Sequence, residues 1–455
     1  MTALTAPRPP ATGAEPAPRR RLRPPTFGAW WLTPTGAVLL VVPASLIGTT
    51  FISDIRFRQE WRTPKELTGS FTALLIIGLI ALVLGTLWPQ LLHRPARRGP
   101  WPAITARQQE VLERAAPWLF WGTVFGYVAF AAVGTLRGVS PVGLVRVLLQ
   151  FNTSNDFLKQ SFAPVAGVTT FTQLDIAFVT TTALTLRRTN KRAIRRLAVV
   201  LALATLRAVV LSERLAVLEI ALPLVLIAAL RVTSMPRPRA RLAVRLAPAV
   251  LVPAVVVFFG VFEYVRSWQF YAPRAGESFV SFALVRFAGY YSTAYNNASI
   301  AYSHASFPHR LPFASIEVFW SAPGISQLNL YQRLSGGDAQ AAFNAALQHY
   351  GNPEFNNYGG LGAPFLDFGP VGGAVYLFAL GSIAGLCWTS LRAGRFTPAL
   401  FYPMIMTSLF ELPRYIYLAE GRIFPSLVAL AVIAWLARRP RRGRAAQPAP
   451  AGVHP

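Results

Sequence analysis

Residues 69–92 read GSFTALLIIGLIALVLGTLWPQLL, a run with no charged side chain from end to end. At 1.5 Å rise per residue a helix of this length reaches about 36 Å, enough to cross the roughly 30 Å hydrocarbon core of a bilayer. Similar apolar runs recur at 31–50, 115–135, 165–186, 195–211, 214–231, 247–266, 369–390, 397–413 and 421–437. The chain is 53% hydrophobic and 14% charged, where soluble domains carry about 25% charged residues. The expected fold is therefore all-α: a polytopic transmembrane bundle of about ten helices spanning 29–437, with one large outer loop, 267–368, between the seventh and eighth spans.

The net charge of +26, from 44 Lys and Arg against 18 Asp and Glu, would suit nucleic acid if it formed one patch. It does not. The basic residues sit in short clusters between apolar runs, such as Arg187, Arg188, Lys191, Arg192, Arg195 and Arg196. Nucleic-acid binding is excluded on that pattern, which is the pattern of cytoplasmic loops. With the N-terminus inside, 28 of the 44 basic residues fall in cytoplasmic segments and 13 outside. Both termini are thus placed in the cytoplasm, in a multi-pass protein of the cytoplasmic (inner) membrane. An odd number of spans would put the basic stretch Arg438, Arg439, Arg441, Arg442 and Arg444 on the wrong side.

Residues 1–28 are rich in Ala, Pro and Arg and read as a disordered cytoplasmic tail, and 438–455 as a basic one. The first apolar run has no small-residue cleavage site after it, so it reads as a retained helix. Cys387 stands alone within an apolar run, which rules out a disulfide framework or a Cys-based metal site. No internal repeat supports a transporter built of inverted halves.

The outer loop is where a site has room, and long loops without function are uncommon. It holds an amphipathic stretch, Ser281 to Ser303, then a helical patch, Ala339 to His349. These lead into FNNYGGLGAPFLDFGPVG, residues 355–372, which enters the eighth span.

That last segment, with its Asn-Tyr and glycine run, its Asp-Phe-Gly step and the Gly three residues later, resembles the Wzy-type oligosaccharide repeat-unit (O-antigen) polymerases. The layout resembles theirs too: many spans, a large outer loop late in the chain, and an Arg after a tight outer hairpin. The resemblance implies a membrane glycosyltransferase without cofactor or metal. It would polymerise undecaprenyl-diphosphate-linked oligosaccharides at the outer face, with lipid-linked oligosaccharide and membrane lipid as ligands and a chain-length regulator or flippase as partner. The related ligases place a His where this chain has Asn356 or Asn357. A ligase, a lipid-phosphate-sugar glycosyltransferase and a lipid-linked-sugar transporter stand as alternatives.

In such a reaction an acceptor hydroxyl attacks the donor's anomeric carbon and lipid diphosphate leaves. Cationic donors must meet the growing negative charge, and a His or carboxylate must take the hydroxyl proton. Arg207 and Arg214 flank the hairpin Leu211-Ser212-Glu213 near the outer face, where an ionisable side chain is expensive without a purpose. Their structural alternative is pairing with Glu213 or Glu219. Arg286, Arg310 and Arg333 are further substrate-binding candidates, each equally readable as a surface Arg. His304, His309, Glu317, Asp338 and Glu354 also lie in the loop, but His349 and Asp367, nearest the motif, are the catalytic candidates. Asp367 equally suits a cap for a helix beginning near Gly369. Asn357 and Tyr358 could bind sugar hydroxyls or hold the turn. Asp175, Glu263 and Glu411 are carboxylates within or beside spans; Asp175, among Thr169, Thr170, Thr172 and Gln173, reads as part of a hydrogen-bonded network.

Overall fold

The computed structural model describes residues 29–92, 101–140, 142, 161–162, 165, 167–186, 189–211, 214–264, 268, 278–305 and 311–439. Residues 1–28 and 440–455, with Glu213, His309 and Arg310, lie outside the described residues.

The described residues form helices and no strands. In chain order they are α1 (Pro34–Phe51), α2 (Asp54–Trp61), α3 (Gly69–Leu92), α4 (Ala106–Leu136), α5 (Asp175–Thr185), α6 (Lys191–Leu211), α7 (Leu215–Thr233), α8 (Pro238–Leu246) and α9 (Pro248–Glu263). There follow α10 (Phe279–His304), α11 (Glu317–Trp320), α12 (Leu330–Ser335), α13 (Ala339–Tyr350), α14 (Ala363–Arg392), α15 (Phe396–Glu411) and α16 (Phe424–Arg438). Nine of the ten apolar runs fall mainly on one of these helices, while 165–186 is divided between a 3-10 helix, Thr169–Leu174, and α5. Among the described residues six helices are long and apolar enough to cross a membrane, and α8 with α9, bent by 45°, makes a seventh if the pair is one span. The expected ten is therefore not reached on length and composition. The reason is local: α5 has 11 residues and α15 has 16, while α6 carries Arg195, Arg196 and Arg207 along its length.

Local signals set the ends. Thr33 accepts from the Gly36 N–H while Pro34 fills the first turn of α1, and Thr105 with Gln108 forms a reciprocal capping box on α4. Lys65 Nζ donates to the Thr50 and Ile52 carbonyls at 2.9 and 2.6 Å, satisfying the open end of α1.

The bundle is held at its centre by α3 against α14. A methyl group on Gly381 would lie 2.2 Å from the Leu82 carbonyl oxygen, and one on Gly85 the same distance from that of Phe378. These glycines let two backbones approach as only small residues allow. Ile76, Ile80 and Leu84 on α3 and Val371, Val375 and Ile383 on α14 are exposed, the surface expected of helices whose solvent is hydrocarbon.

The described part of the segment expected to be a loop folds as a cap at the end of the bundle where α1 stops and α3 starts. Helix α10 carries the stretch Ser281 to Ser303, and its second half, Ser292 to Ala301, is buried throughout. It is tied to α1 and to the segment that precedes α3, bonding Thr49 through Ser292 and Ser45 through Tyr295, both on α1, then Pro64 and Glu66 through Asn296. Ile300, Trp320, Tyr331, Phe343, Leu347 and Leu366 form the cap's own apolar core.

Helix α14 begins at Ala363, ahead of the expected start, and breaks at Gly369 (φ 69°, ψ −173°), a conformation glycine adopts readily, before Pro370. Asp367 therefore lies inside the first helical segment and does not cap a helix starting at Gly369.

Candidate functional site

Two helix ends meet beside α10. Arg214 immediately precedes the N-terminus of α7, and Glu263 is the last residue of α9. The Arg214 guanidinium lies 3.0 Å from Oε1 of Glu263, whose side chain is wholly buried. Arg286, on α10, places its Nε 3.5 Å from the other Glu263 oxygen and its Nη2 2.5 Å from Glu354. One carboxylate thus sits between two arginines.

Tyr290, one turn along α10, ties in a third arginine. Its hydroxyl accepts from Arg214 Nη2, and its ring lies 4.6 Å from the Arg214 guanidinium and 5.2 Å from that of Arg414. Arg214 also stacks over Phe259 at 3.8 Å. Both contacts suit a planar, delocalised cation. Arg414 in turn pairs with Glu411 at 3.2 Å.

A second cluster adjoins the first through the strap 412–423 between α15 and α16. Arg422 pairs with Glu219 of α7 at 3.0 Å. Asp175, at the start of α5 and 3% exposed, accepts from the Tyr127 hydroxyl at 3.4 Å. Glu420 lies in the electrostatic field of Glu317, Arg422, Glu219 and Arg414. Burial first, and the neighbouring Glu317 carboxyl second, push Glu420 up to about 7, against Arg422 and Arg414, which pull it down. Burial also raises Glu317, which hydrogen-bonds Tyr358.

The candidates read from sequence divide on this geometry. Arg214 and Arg286 come together on Glu263. The pairing alternative for Arg214 is realised with Glu263 and not with Glu219, which belongs to Arg422. Arg207, seven residues before Arg214, turns to another face: it donates to Thr172 at 3.3 Å and stands over Phe130. Arg333 is exposed on α12. His349 is exposed at the end of α13, facing Tyr350, and is not among the charged groups described above. Asp367 accepts from the backbone N–H groups of Phe313, Ala314 and Ser315 at 2.9, 3.3 and 2.6 Å. It anchors the cap to α14. The carbonyl of Asn357 accepts from Asn297 at 3.1 Å, while Tyr358 packs edge-on against Phe343 and bonds Glu317.

Glu263 as the hub, and Arg414, Arg422 and Glu420, were not picked out from sequence. A signal existed for the last three: the strap carries them within nine residues, between two apolar runs too close together to leave them far from the bilayer. Comparison with protein-family models, curated proteins and solved structures gave no match.

Proposed function

We propose that the protein is a membrane glycosyltransferase that joins oligosaccharide units carried on a lipid diphosphate, working at the outer face of the cytoplasmic membrane. In this reading the ten apolar helices all cross or enter the bilayer, both termini are cytoplasmic, and the cap faces outward with the arginine cluster beneath it. The observation that carries the proposal is the gathering of Arg214, Arg286 and Arg414 around Glu263 and Tyr290. A guanidinium has five donors and a carboxylate engages at most two at once, so a paired arginine retains directions in which to bind phosphate oxygens. Their carboxylate partners hold the cations at an apolar depth until diphosphate arrives. The resemblance of residues 355–372 to repeat-unit polymerases adds the reaction class, and a chain-length regulator or flippase is the partner it implies.

A lipid-linked-sugar transporter is the second reading, favoured by the buried carboxylates Asp175 and Glu219 within the helical bundle. The two are separated by the mass and sidedness of lipid-linked glycans in a strain lacking the gene. Complete single units exposed outside, with no polymer, support the polymerase. Units trapped on the cytoplasmic side support the transporter, and normal polymer lengths reject the polymerase.

A further inference from the structure

Helix α11 lies against the strap so closely that a methyl on Gly421 would sit 2.0 Å from Ser321 Oγ. This contact brings Glu317, at the head of α11, to Glu420, one residue before that glycine. Around Glu317 stand Tyr358, which hydrogen-bonds it, and Arg422; around Glu420 stand Glu219, Arg414 and Arg422. Two carboxyl groups on separate elements thus share one pocket of charge with the arginines described above.

A second observation on the strap points to a ligand. Tyr415, 6% exposed, faces Glu411, Arg414, Arg422 and Glu420, yet its hydroxyl has no hydrogen-bond partner among the described residues. A buried hydroxyl left so is costly unless a ligand completes it.

We infer, resting on the glycosyl-transfer reading, that Glu317 and Glu420 form a carboxyl pair that serves as general base for the acceptor sugar, with the Tyr415 hydroxyl bonding that sugar. The acceptor hydroxyl oxygen forms the new bond to the anomeric carbon. The bond from that carbon to the diphosphate oxygen breaks, and its electron pair leaves with the lipid diphosphate. The hydroxyl proton passes to the Glu420 carboxylate and then to solvent, while Glu317 shares the charge through the pair. The leaving diphosphate gains the charge that Arg414 and Arg214 are placed to meet. His349 is exposed at the end of α13, and Asp367 is engaged by the N–H groups of Phe313, Ala314 and Ser315, so neither belongs to this cluster. Burial and the neighbouring carboxyl raise Glu420 above the ordinary carboxylate range, which brings it closer to what a general base needs under neutral conditions.

The test uses the full-length protein returned to a strain lacking it, with polymer length read on gels and transfer rate read in isolated membranes supplied with lipid-linked units. Glu420→Gln should retain normal protein levels and lose about 10²- to 10⁴-fold in transfer rate, with Glu317→Gln losing less. The wild-type rate should rise with pH through an acid limb near 7, and Glu317→Gln should move that limb downward, because removing a neighbouring negative charge eases ionisation of Glu420. Tyr415→Phe should raise the acceptor KM more than it lowers kcat. Wild-type rates in the Gln variants, or a wild-type rate flat from pH 5.5 to 8.5, would overturn the pair as base; the flat profile decides the matter even if a variant fails to fold. A wild type that restores no polymer would instead reject glycosyl transfer itself, and the base with it.

Discussion

Arg214 and Glu263 stand 3.0 Å apart, each at the helix end where its charge is least favoured. Arg214 is at the N-terminus of α7, which carries partial positive charge, and Glu263 is at the C-terminus of α9, which carries partial negative charge. Neither helix gains from its own residue, so the pair compensates two penalties at once. Replacing Glu263 by Leu leaves Arg214 and Arg286 buried without their shared carboxylate, and should cost about 3–5 kcal/mol of stability. Unfolding of the purified protein in detergent measures this. A loss below about 1 kcal/mol would show that Glu354 and Tyr290 suffice to hold both arginines.

Stability and catalysis separate at Arg214 itself. As a donor to the leaving diphosphate, Arg214→Ala should lose about 2–4 kcal/mol of transition-state stabilisation, and lysine should restore it only in part because it lacks planar bidentate geometry. Transfer rates in membranes, normalised to inserted protein, decide it. A well-inserted Arg214→Ala with full activity would leave charge compensation as its whole role.

The basic clusters set an expected sidedness. Reporter fusions after Asn190 and after Asp338 are expected on opposite sides of the membrane, the first cytoplasmic and the second outside. Both on one side would overturn the arrangement in which the cap meets flipped substrate.

The α3–α14 contact leaves no room for a side chain at Gly381. Gly381→Leu should force the helices apart and cost about 1–3 kcal/mol or more, lowering the melting temperature in detergent. Gly48, with open space around it, is the control: Gly48→Leu should leave the melting temperature nearly unchanged.

Glu420 makes stability depend on pH with a definite sign. Its folded-state value of about 7 lies above the ordinary 4.5, so between those values the folded protein holds a proton that the unfolded chain has released. Stability should therefore fall as pH rises from about 4.5 to about 7 and level off above, with Glu317, also raised, steepening the fall. Melting temperatures at pH 5 and 8 measure the slope, and Glu420→Gln should flatten it. A melting temperature that rises across this window in the wild type and not in the variant would contradict the sign.

Much of the helical architecture was determined by sequence alone. A run such as 69–92 has no way to satisfy its backbone in lipid except as a helix, so apolar length specifies the element directly. The basic clusters likewise supply an expected orientation without reference to packing. Within the cap this logic ends. The stretch Ser281 to Ser303 reads as amphipathic, and only the tertiary structure shows Asn296, Asn297 and Ser299 buried, because only it supplies their partners: Pro64, Glu66, Phe355 and Asn357. The site divides in the same way. Arg214 is conspicuous in sequence because charge at a helix end near lipid is costly wherever it lies. That Glu263 holds it, that Arg207 turns away to Thr172, and that Glu317 meets Glu420 across more than 100 residues were decided by packing. Charge pairing depends on distance in space, and periodicity along a chain carries no record of which helix ends converge.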